Sequence, residues 1–458
     1  MGTKLIKNAY AIVTCNDRDE VLYHCDMLIQ DNKITRIEQG IEEIDCEVID
    51  ATGKIIYPGL INTHHHLFQS FVRNQRSIDC PNLSLLEWLD KIYQVFENLN
   101  TDAIYYGSMI AMADLVKHGC TTIFDHQYCY TTYTGKAPID KQMQAAKEMG
   151  VRFHAGRGTN TLPKSKGSTI PDGMVETTEE FIEDTKRLIE LYHDSSRYSM
   201  QQMVVAPCQP VNSYEDTFRE AVKLARQYGV RLHTHLGEGE NELMVERHGI
   251  SSLEWCKKIG FIGPDVWYAH GWYLTDEELQ ELAKNGSGIS HCPSGATLGG
   301  FPILDMNRIN ELGIPVGLGV DGSATNDGSN LLDSIRTGYL MQAHFSRRRG
   351  GSISAYDVLK MATVQGAKLL GRTDIGSLEI DKAADLFMID TQSLDMVGAC
   401  HDPQNLIGKV GATGEVALTM INGEVVFENH KLTRVNEKEL VEEAEKLCTK
   451  ILEKSMCS

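Results

Sequence analysis

The sequence is short of the features that would direct it to a membrane, a polyanion or an oxidising compartment. No window approaches eighteen consecutive apolar residues, so nothing in it reads as a transmembrane helix. Positive charge is in deficit, with 44 Lys and Arg against 63 Asp and Glu and a formal net charge of -19. Nucleic acid and anionic lipid surfaces would repel such a chain, which leaves a small neutral or cationic partner. Its 12 cysteines are scattered singly, without any Cys-x-x-Cys pair, and this argues against a cysteine zinc ribbon or a disulfide framework. With no signal peptide at Met1-Gly2-Thr3-Lys4, they read as reduced thiols of a cytoplasmic protein.

What is present is a long alternation of strands and helices. At 458 residues and 42% hydrophobic content the chain has room for a (β/α)8 barrel and an accessory unit. Short alternating runs such as Tyr10-Ala11-Ile12-Val13 and Met27-Leu28-Ile29 predict antiparallel strands before residue 57. The same texture returns beyond residue 373, at Ala384 to Ile389 and Val416 to Val426. Between them, eight apolar runs alternate with helical patterns: Ile55 to Asn62, Thr121 to Asp125, Val151 to Ala155, Gln202 to Pro207, Arg231 to His235, Val266 to His270, Ser287 to His291 and Ile314 to Val320. The fold expected is therefore α/β: a (β/α)8 TIM barrel over 58–372, a small β-sandwich from 1–57 and 373–432, and a terminal helix in 433–458. The stretch 164–173 has loop composition after strand three; it either overhangs the active face or is an ordinary surface loop.

The residues suited to chemistry gather at the ends of those runs. In Thr63-His64-His65-His66, alternate residues of an extended chain share a side, so His64 and His66 project together while His65 turns away. Two converging neutral imidazoles make half of a zinc-type site, and an internal triplet after Ile-Ile-Tyr-Pro-Gly-Leu-Ile is no purification tag. Strand five ends His233-Thr234-His235-Leu236-Gly237-Glu238, where His235 is the better ligand and His233 reads as core packing. Glu238 could reach a water held by the metal without being a ligand, take its proton and deliver it to a leaving nitrogen. His270 ends strand six, as a hydrogen-bonded core histidine or a functional one. Asp321 directly follows the apolar strand eight, where a carboxylate is costly to bury without a cation; it is the candidate fourth ligand, with a helix cap as the alternative.

The order His-x-His, His-x-x-Glu, His, Asp on eight strands resembles the amidohydrolase superfamily. The words Pro58 to Gln69, Thr121 to His126, His154-Ala155-Gly156-Arg157-Gly158, His291-Cys292-Pro293 and Gly319 to Asp327 most resemble its aminohydrolases of heteroaromatic rings. That group holds the 8-oxoguanine, isoxanthopterin and guanine deaminases and the triazine hydrolases. The resemblance implies that His64, His66, His235 and Asp321 hold one divalent metal per subunit, Zn2+ or alternatively Fe2+. Glu238, His270 and Asp321 would surround the attacking water, while Gln69, Arg157 and His270 would read the substrate. Strand four ends Ala206-Pro207-Cys208-Gln209 without the lysine that binuclear relatives use, which favours a single ion; Cys208 reads as a buried thiol.

The activity so implied is hydrolytic deamination of an oxo-substituted heteroaromatic ring, with 8-oxoguanine or a pterin leading. A triazine aminohydrolase or chlorohydrolase is the alternative. A non-aromatic amidase or lactonase and a catalytically silent barrel scaffold are further readings, the last disfavoured by the intact ligand set. The likeness also implies a homodimer or larger assembly. One departure bears on the ring: relatives of the 8-oxoguanine type follow His-Cys-Pro with a Ser-Asn pair, whereas this chain has Ser294-Gly295-Ala296. His291 reads as structural or as a substrate contact.

Overall fold

The computed structural model describes residues 2–43, 45–75, 82–346 and 351–456. Leu60–Asn62, Cys120–Gln127, Arg152–Arg157, Gln201–Val205, Arg231–Leu236, Val266–His270, Gly288–His291 and Val316–Leu318 pair in parallel and in chain order as barrel strands one to eight. Strand eight then returns to strand one. Thr63 N–H donates to Leu318 O at 3.0 Å, Asp321 N–H to His64 O at 3.1 Å and Val320 N–H to the Asn62 side-chain oxygen at 2.9 Å. These bonds close the sheet into the expected (β/α)8 barrel.

Alternation along the strands sorts the core into layers. Phe153, Ala155, Leu232 and Tyr268 face outward and pack with helix residues such as Phe181, Leu188 and Phe218. Phe124, Val204 and Trp267 face inward and fill the amino end of the barrel with Ile61, Leu369 and Ile375. The helices of the outer ring start where capping boxes let them, at Thr177 with Glu180, Ser251 with Glu254 and Thr275 with Glu278. Above the inner apolar layer the interior becomes polar, and the site lies there.

The terminal segments build two more sheets. Thr3–Lys7, Asp26–Gln30, Lys33–Glu38 and Glu47–Asp50 form one of four strands. Ala11–Val13, Val21–Tyr23 and Lys54–Pro58 join Leu386–Asp390, Leu418–Ile421, Glu424–Glu428 and Lys431–Leu432 in another of seven. Ile6, Met27 and Ile29 of the first meet Ile12, Ile56, Met388 and Met420 of the second in a shared core, the sandwich that the sequence predicts.

The run Ile55 to Asn62, expected as one strand, is two. Lys54–Pro58 pairs with Leu386–Asp390 in the sandwich, and Leu60–Asn62 pairs with strand two. The chain changes sheets at Gly59, where an added Cβ would lie 2.2 Å from Thr121 Oγ1. The 164–173 stretch covers the carboxyl end of the barrel: its Ile170 packs with Phe68, Trp88 and Tyr128, and Lys164 pairs with Asp90 of helix Leu85–Phe96. Helix Glu437–Met456 lays Ala444 and Ile451 into the same cluster. Among the described residues no helix is long and apolar enough to cross a membrane.

The closing seam depends on two positions without side chains. A Cβ at Gly317 would lie 2.6 Å from Thr63 Cγ2, and one at Gly319 would lie 2.9 Å from His64 Cβ and 2.8 Å from Ser290 Oγ. Gly319→Ala should therefore lower the urea unfolding midpoint by the equivalent of about 1–3 kcal/mol. Gly414→Ala, with nothing within 4 Å of its added Cβ, should stay within about 0.5 kcal/mol. Equal midpoints for the two variants would refute the steric account of the seam.

Candidate metal centre and active site

Four side chains from strands one, five and eight converge at the carboxyl end of the barrel. His66 Nε2 lies 3.1 Å from His235 Nε2, and Asp321 Oδ1 lies 3.3 Å from His64 Nε2 and 3.5 Å from His66 Nε2. A tetrahedral ion with ligands at the usual 2.0–2.1 Å has ligand-to-ligand edges of about 3.3 Å. These three separations bracket that edge: among the described residues His64, His66 and Asp321 gather within 4.8 Å of one another, and His235 joins the group through its 3.1 Å approach to His66. The His64 Nε2 atom is buried without a hydrogen-bond partner, as expected for a lone pair aimed at an ion.

Hydrogen bonds set the tautomers. His66 Nδ1 lies 2.9 Å from His126 O and His235 Nδ1 lies 2.7 Å from Cys208 O. A carbonyl only accepts, so each Nδ1 carries the proton and each Nε2 keeps a lone pair. Burial depresses all three imidazoles, His64 well below the ordinary range and His66 to about 3, which keeps them neutral and able to ligate. His65 turns away, as the alternation requires: its Nδ1 accepts from the His66 N–H at 2.7 Å and its Nε2 lies 2.9 Å from Ser329 Oγ. Leu67 N–H, just beyond the triplet, donates to Asp125 Oδ1 at 2.6 Å and fixes where the chain leaves the barrel. His270 and Asp321 have φ of 77° and 66°, a strained backbone for residues with a Cβ, at the points where strands six and eight end.

Around the ligand set stand groups able to move protons. Glu238 Oε1 lies 3.6 Å from His270 Nε2, and Glu238 Oε2 accepts from Gln209 Nε2 at 3.3 Å. Burial, with Asp321 and Glu240 nearby, raises the Glu238 carboxyl well above the usual carboxylate range. His270 is buried, depressed to about 3 by that burial, and neither ring nitrogen has a hydrogen-bond partner. Its ring lies 4.2 Å from Trp272, which stacks on Phe301 at 4.5 Å, forming an aromatic wall that leads away from the ligands.

The other two expected substrate readers, Gln69 and Arg157, differ. Gln69 is buried beside the Asp321 turn; its oxygen accepts from Ala324 N–H at 3.1 Å, so its amide N–H2 is the end left to donate, one hydrogen towards Tyr128 Oη at 3.4 Å. Gly322 must be a glycine here, since a Cβ would come within 1.9 Å of the Gln69 oxygen.

Arg157 does not reach the ligand set, a correction to the expectation from the sequence. It has the outward parity of Phe153 and Ala155, its Nε donates to Asp184 at 3.0 Å, and its terminal nitrogens donate to Glu176 at 2.7 and 2.8 Å. It stacks over Tyr130 and is fully buried, a structural ion-pair cluster between sheet and helix. Cys208 is a buried thiol held protonated by burial, and it serves His235 through its carbonyl.

Two residues escaped the sequence reading. His126, at the carboxyl end of strand two, stacks on His235 at 4.7 Å, donates from Nε2 to Ala206 O at 2.7 Å and leaves Nδ1 unpartnered. Its place at a strand end was the available signal. Glu240 is buried, and its carboxylate accepts from the N–H groups of Gly237, Glu238 and Gly239 at 2.8, 2.9 and 3.1 Å, clamping the loop that carries Glu238. No residue spacing announces that arrangement.

Comparison with known proteins agrees with this geometry. Residues 55–426 match the amidohydrolase family. The chain is 44% identical to hydroxydechloroatrazine ethylaminohydrolase of Pseudomonas sp. (strain ADP), over 99% of this chain and 96% of that protein. It is 33% identical to the 8-oxoguanine deaminase of Pseudomonas aeruginosa, over 88% and 89% respectively. The crystal structure of atrazine chlorohydrolase from Arthrobacter aurescens TC1 complexed with zinc superposes with a TM-score of 0.93 at 28% identity, covering 97% of this chain and 100% of that one.

An ion held by converging lone pairs should stabilise the fold by mass action. Divalent metal at about one hundred times its Kd should add about 2.7 kcal/mol to the chelator-treated protein, read as a rise in Tm. His66→Ala should abolish that rise. A metal-independent Tm in the unsubstituted protein would contradict the site.

Proposed function

Because the chain belongs to the amidohydrolase family, we propose that it holds one divalent ion, zinc as in the related chlorohydrolase, and hydrolytically removes an amine from an oxo-substituted nitrogen heterocycle. Its ligands are His64, His66, His235 and Asp321, with Glu238 as the proton carrier. The observation that carries this reading is the placement of Glu238, held by Gln209 at 3.3 Å and 3.6 Å from His270, beside a set of neutral imidazoles. A silent scaffold has no use for such an acid.

A bound divalent ion supplies Lewis acidity and brings the pKa of water towards neutrality. The remaining work falls to the chain. Glu238 moves protons at its Oε atoms: it takes one from the attacking water and passes it to a ring nitrogen, then takes the second from the added hydroxyl and passes it to the departing amine as the C–N bond breaks. Gln209 and the clamped loop hold that carboxyl in position. His270 offers an unpartnered nitrogen to orient the attacking water or the ring, and Asp321 directs the attack from the other side. Gln69, with its oxygen engaged by Ala324, presents N–H donors suited to an oxo group or an unprotonated ring nitrogen. Leu85, against Gly239, and the aromatic wall of Trp272 and Phe301 favour a flat substrate and the exclusion of water.

Two ring classes fit this chemistry. The purine and pterin reading follows the 8-oxoguanine and isoxanthopterin deaminases, at 33% and 30% identity. A specific feature favours the hydroxytriazine reading. At Gly295, an added Cβ would meet nothing within 4 Å except the Asp321 side chain, at 3.2 Å from Oδ2 and 3.9 Å from Cβ. The room so left beside Asp321 suits a leaving nitrogen that carries an alkyl group, as the name of the 44% identical ethylaminohydrolase describes for that protein. A homo-oligomeric, cytoplasmic enzyme with reduced thiols completes the proposal.

The decisive assay is amine release by metal-replete protein from oxo-aminopurines, pterins and N-alkylated hydroxytriazines. The hydroxytriazine reading expects alkylamine from the triazines, and the purine reading expects ammonia from 8-oxoguanine. Release from neither group would sink the proposal. Glu238→Gln should retain the metal and lose roughly 10²–10⁴-fold in kcat, since the ligands remain while the proton carrier is gone. Full turnover in that variant would remove Glu238 from the mechanism.

A further inference from the structure

His64 differs from the other two imidazole ligands in where its second nitrogen goes. His66 and His235 each hand their Nδ1 proton to a backbone carbonyl, whereas His64 Nδ1 lies 3.0 Å from a side-chain nitrogen, His233 Nε2. Two unprotonated nitrogens, or two N–H groups, would repel at that separation. One proton must lie between them.

Its owner follows from the next contact. His233 Nδ1 lies 2.9 Å from Trp267 O, and a carbonyl can only accept, so Nδ1 carries the His233 proton. His233 is fully buried between the Phe124 and Trp267 rings, a setting that offers no counter-ion to a second, charging proton. Its Nε2 is then a lone pair, and the shared proton belongs to His64 Nδ1. His64 is thereby left with a bare Nε2, the atom that faces Asp321 and has no hydrogen-bond partner.

The His233 ring is fixed as firmly as a carbonyl would be. It sits 4.7 Å from the Trp267 ring and 4.8 Å from the Phe124 ring, and the Trp267 indole N–H donates to Thr63 O at 3.2 Å, next to His64 itself. One strand-six residue thus ties both ends of the relay, His233 through its carbonyl and the His64 backbone through its indole.

We propose that His233 is a positioning residue of the metal centre: it fixes His64 in the tautomer and orientation that present Nε2 to the ion, an assignment that rests on the metal-site reading above. An imidazole is a better proton acceptor than an amide carbonyl, so His233 also makes His64 the more electron-rich ligand, as a carboxylate does behind a zinc-bound histidine. The competing explanation is an inner ion between His64, His126 and His233, whose nitrogens lie within 4.8 Å of one another. That trio contains no carboxylate to neutralise a dication in an apolar layer, and a single proton already accounts for its closest contact.

The test compares wild type, His233→Phe and His233→Gln by zinc competition against a chromophoric chelator and by the visible spectrum of the Co(II) protein. Wild type should bind one ion per chain. His233→Phe should bind roughly 10–100-fold more weakly, with an altered Co(II) spectrum. His233→Gln, whose amide oxygen can accept the His64 proton, should recover most of that affinity. A His233→Phe protein that binds zinc as tightly as wild type would leave His233 as core packing and overturn the proposal, as would a second wild-type ion that His233→Phe loses. Wild type that binds no ion would instead bring down the metal-site reading itself. Histidine 15N NMR of the metal-free wild type serves if the variants fail to fold: His64 should be the Nδ1–H tautomer, and an Nε2–H form would overturn the assignment.

Discussion

The seam where strand eight closes on strand one is the contact on which the rest of the molecule depends. Thr63 N–H reaches Leu318 O and Asp321 N–H reaches His64 O, so one short ladder closes the barrel and also sets the carboxylate beside the imidazoles. The seam is tight enough that Gly317 and Gly319 leave their space to Thr63, Ser290 and His64. Above it the chain leaves regular strand geometry, with Asp321 at φ 66°. The strain falls on the residue whose side chain must turn back over the barrel mouth.

From that seam the site extends by satisfying buried polar groups one after another. The ligand imidazoles pass their Nδ1 protons to His126 O, Cys208 O and His233. The barrel thus offers its lone pairs in one direction and its protons in the other. Glu238 completes the design from a loop that Glu240 holds by accepting from three consecutive amides. One acidic side chain clamps the loop while the other, two residues away, is turned towards His270 and has its pKa raised by burial.

How much of this was legible in the sequence follows from how local each cause is. Strand ends are local: His64, His66, His235, His270 and Asp321 could be placed because apolar runs stop at them, and the fold followed from eight such runs. The break at Gly59 was hidden because Ile55 to Asn62 is apolar throughout, and only the clash with Thr121 shows that the chain changes sheets. Arg157 shares the outward side of Phe153 and Ala155, and that alternation carries it to Asp184 and Glu176 instead of the barrel mouth. His233 reads as packing from the sequence and does lie against Phe124 and Trp267, but its contact with His64 joins residues 169 positions apart and leaves no trace in spacing. The Glu240 clamp is short in range, yet it depends on loop conformation, which the order of residues does not display.

The seam also has a consequence in time. It joins the first strand of the barrel to the last, His64 to Asp321, so the candidate metal centre is completed only across the barrel's whole sequence. Closing so large a loop is entropically late, and it must follow the pairing of neighbouring strands that carry their contacts locally. During synthesis the three imidazoles leave the ribosome well before their carboxylate. For that interval the nascent barrel is an open sheet with an exposed strand-one edge and a histidine cluster lacking its anion. Burial of that edge waits for strand eight, and the same strand brings Asp321 to the imidazoles.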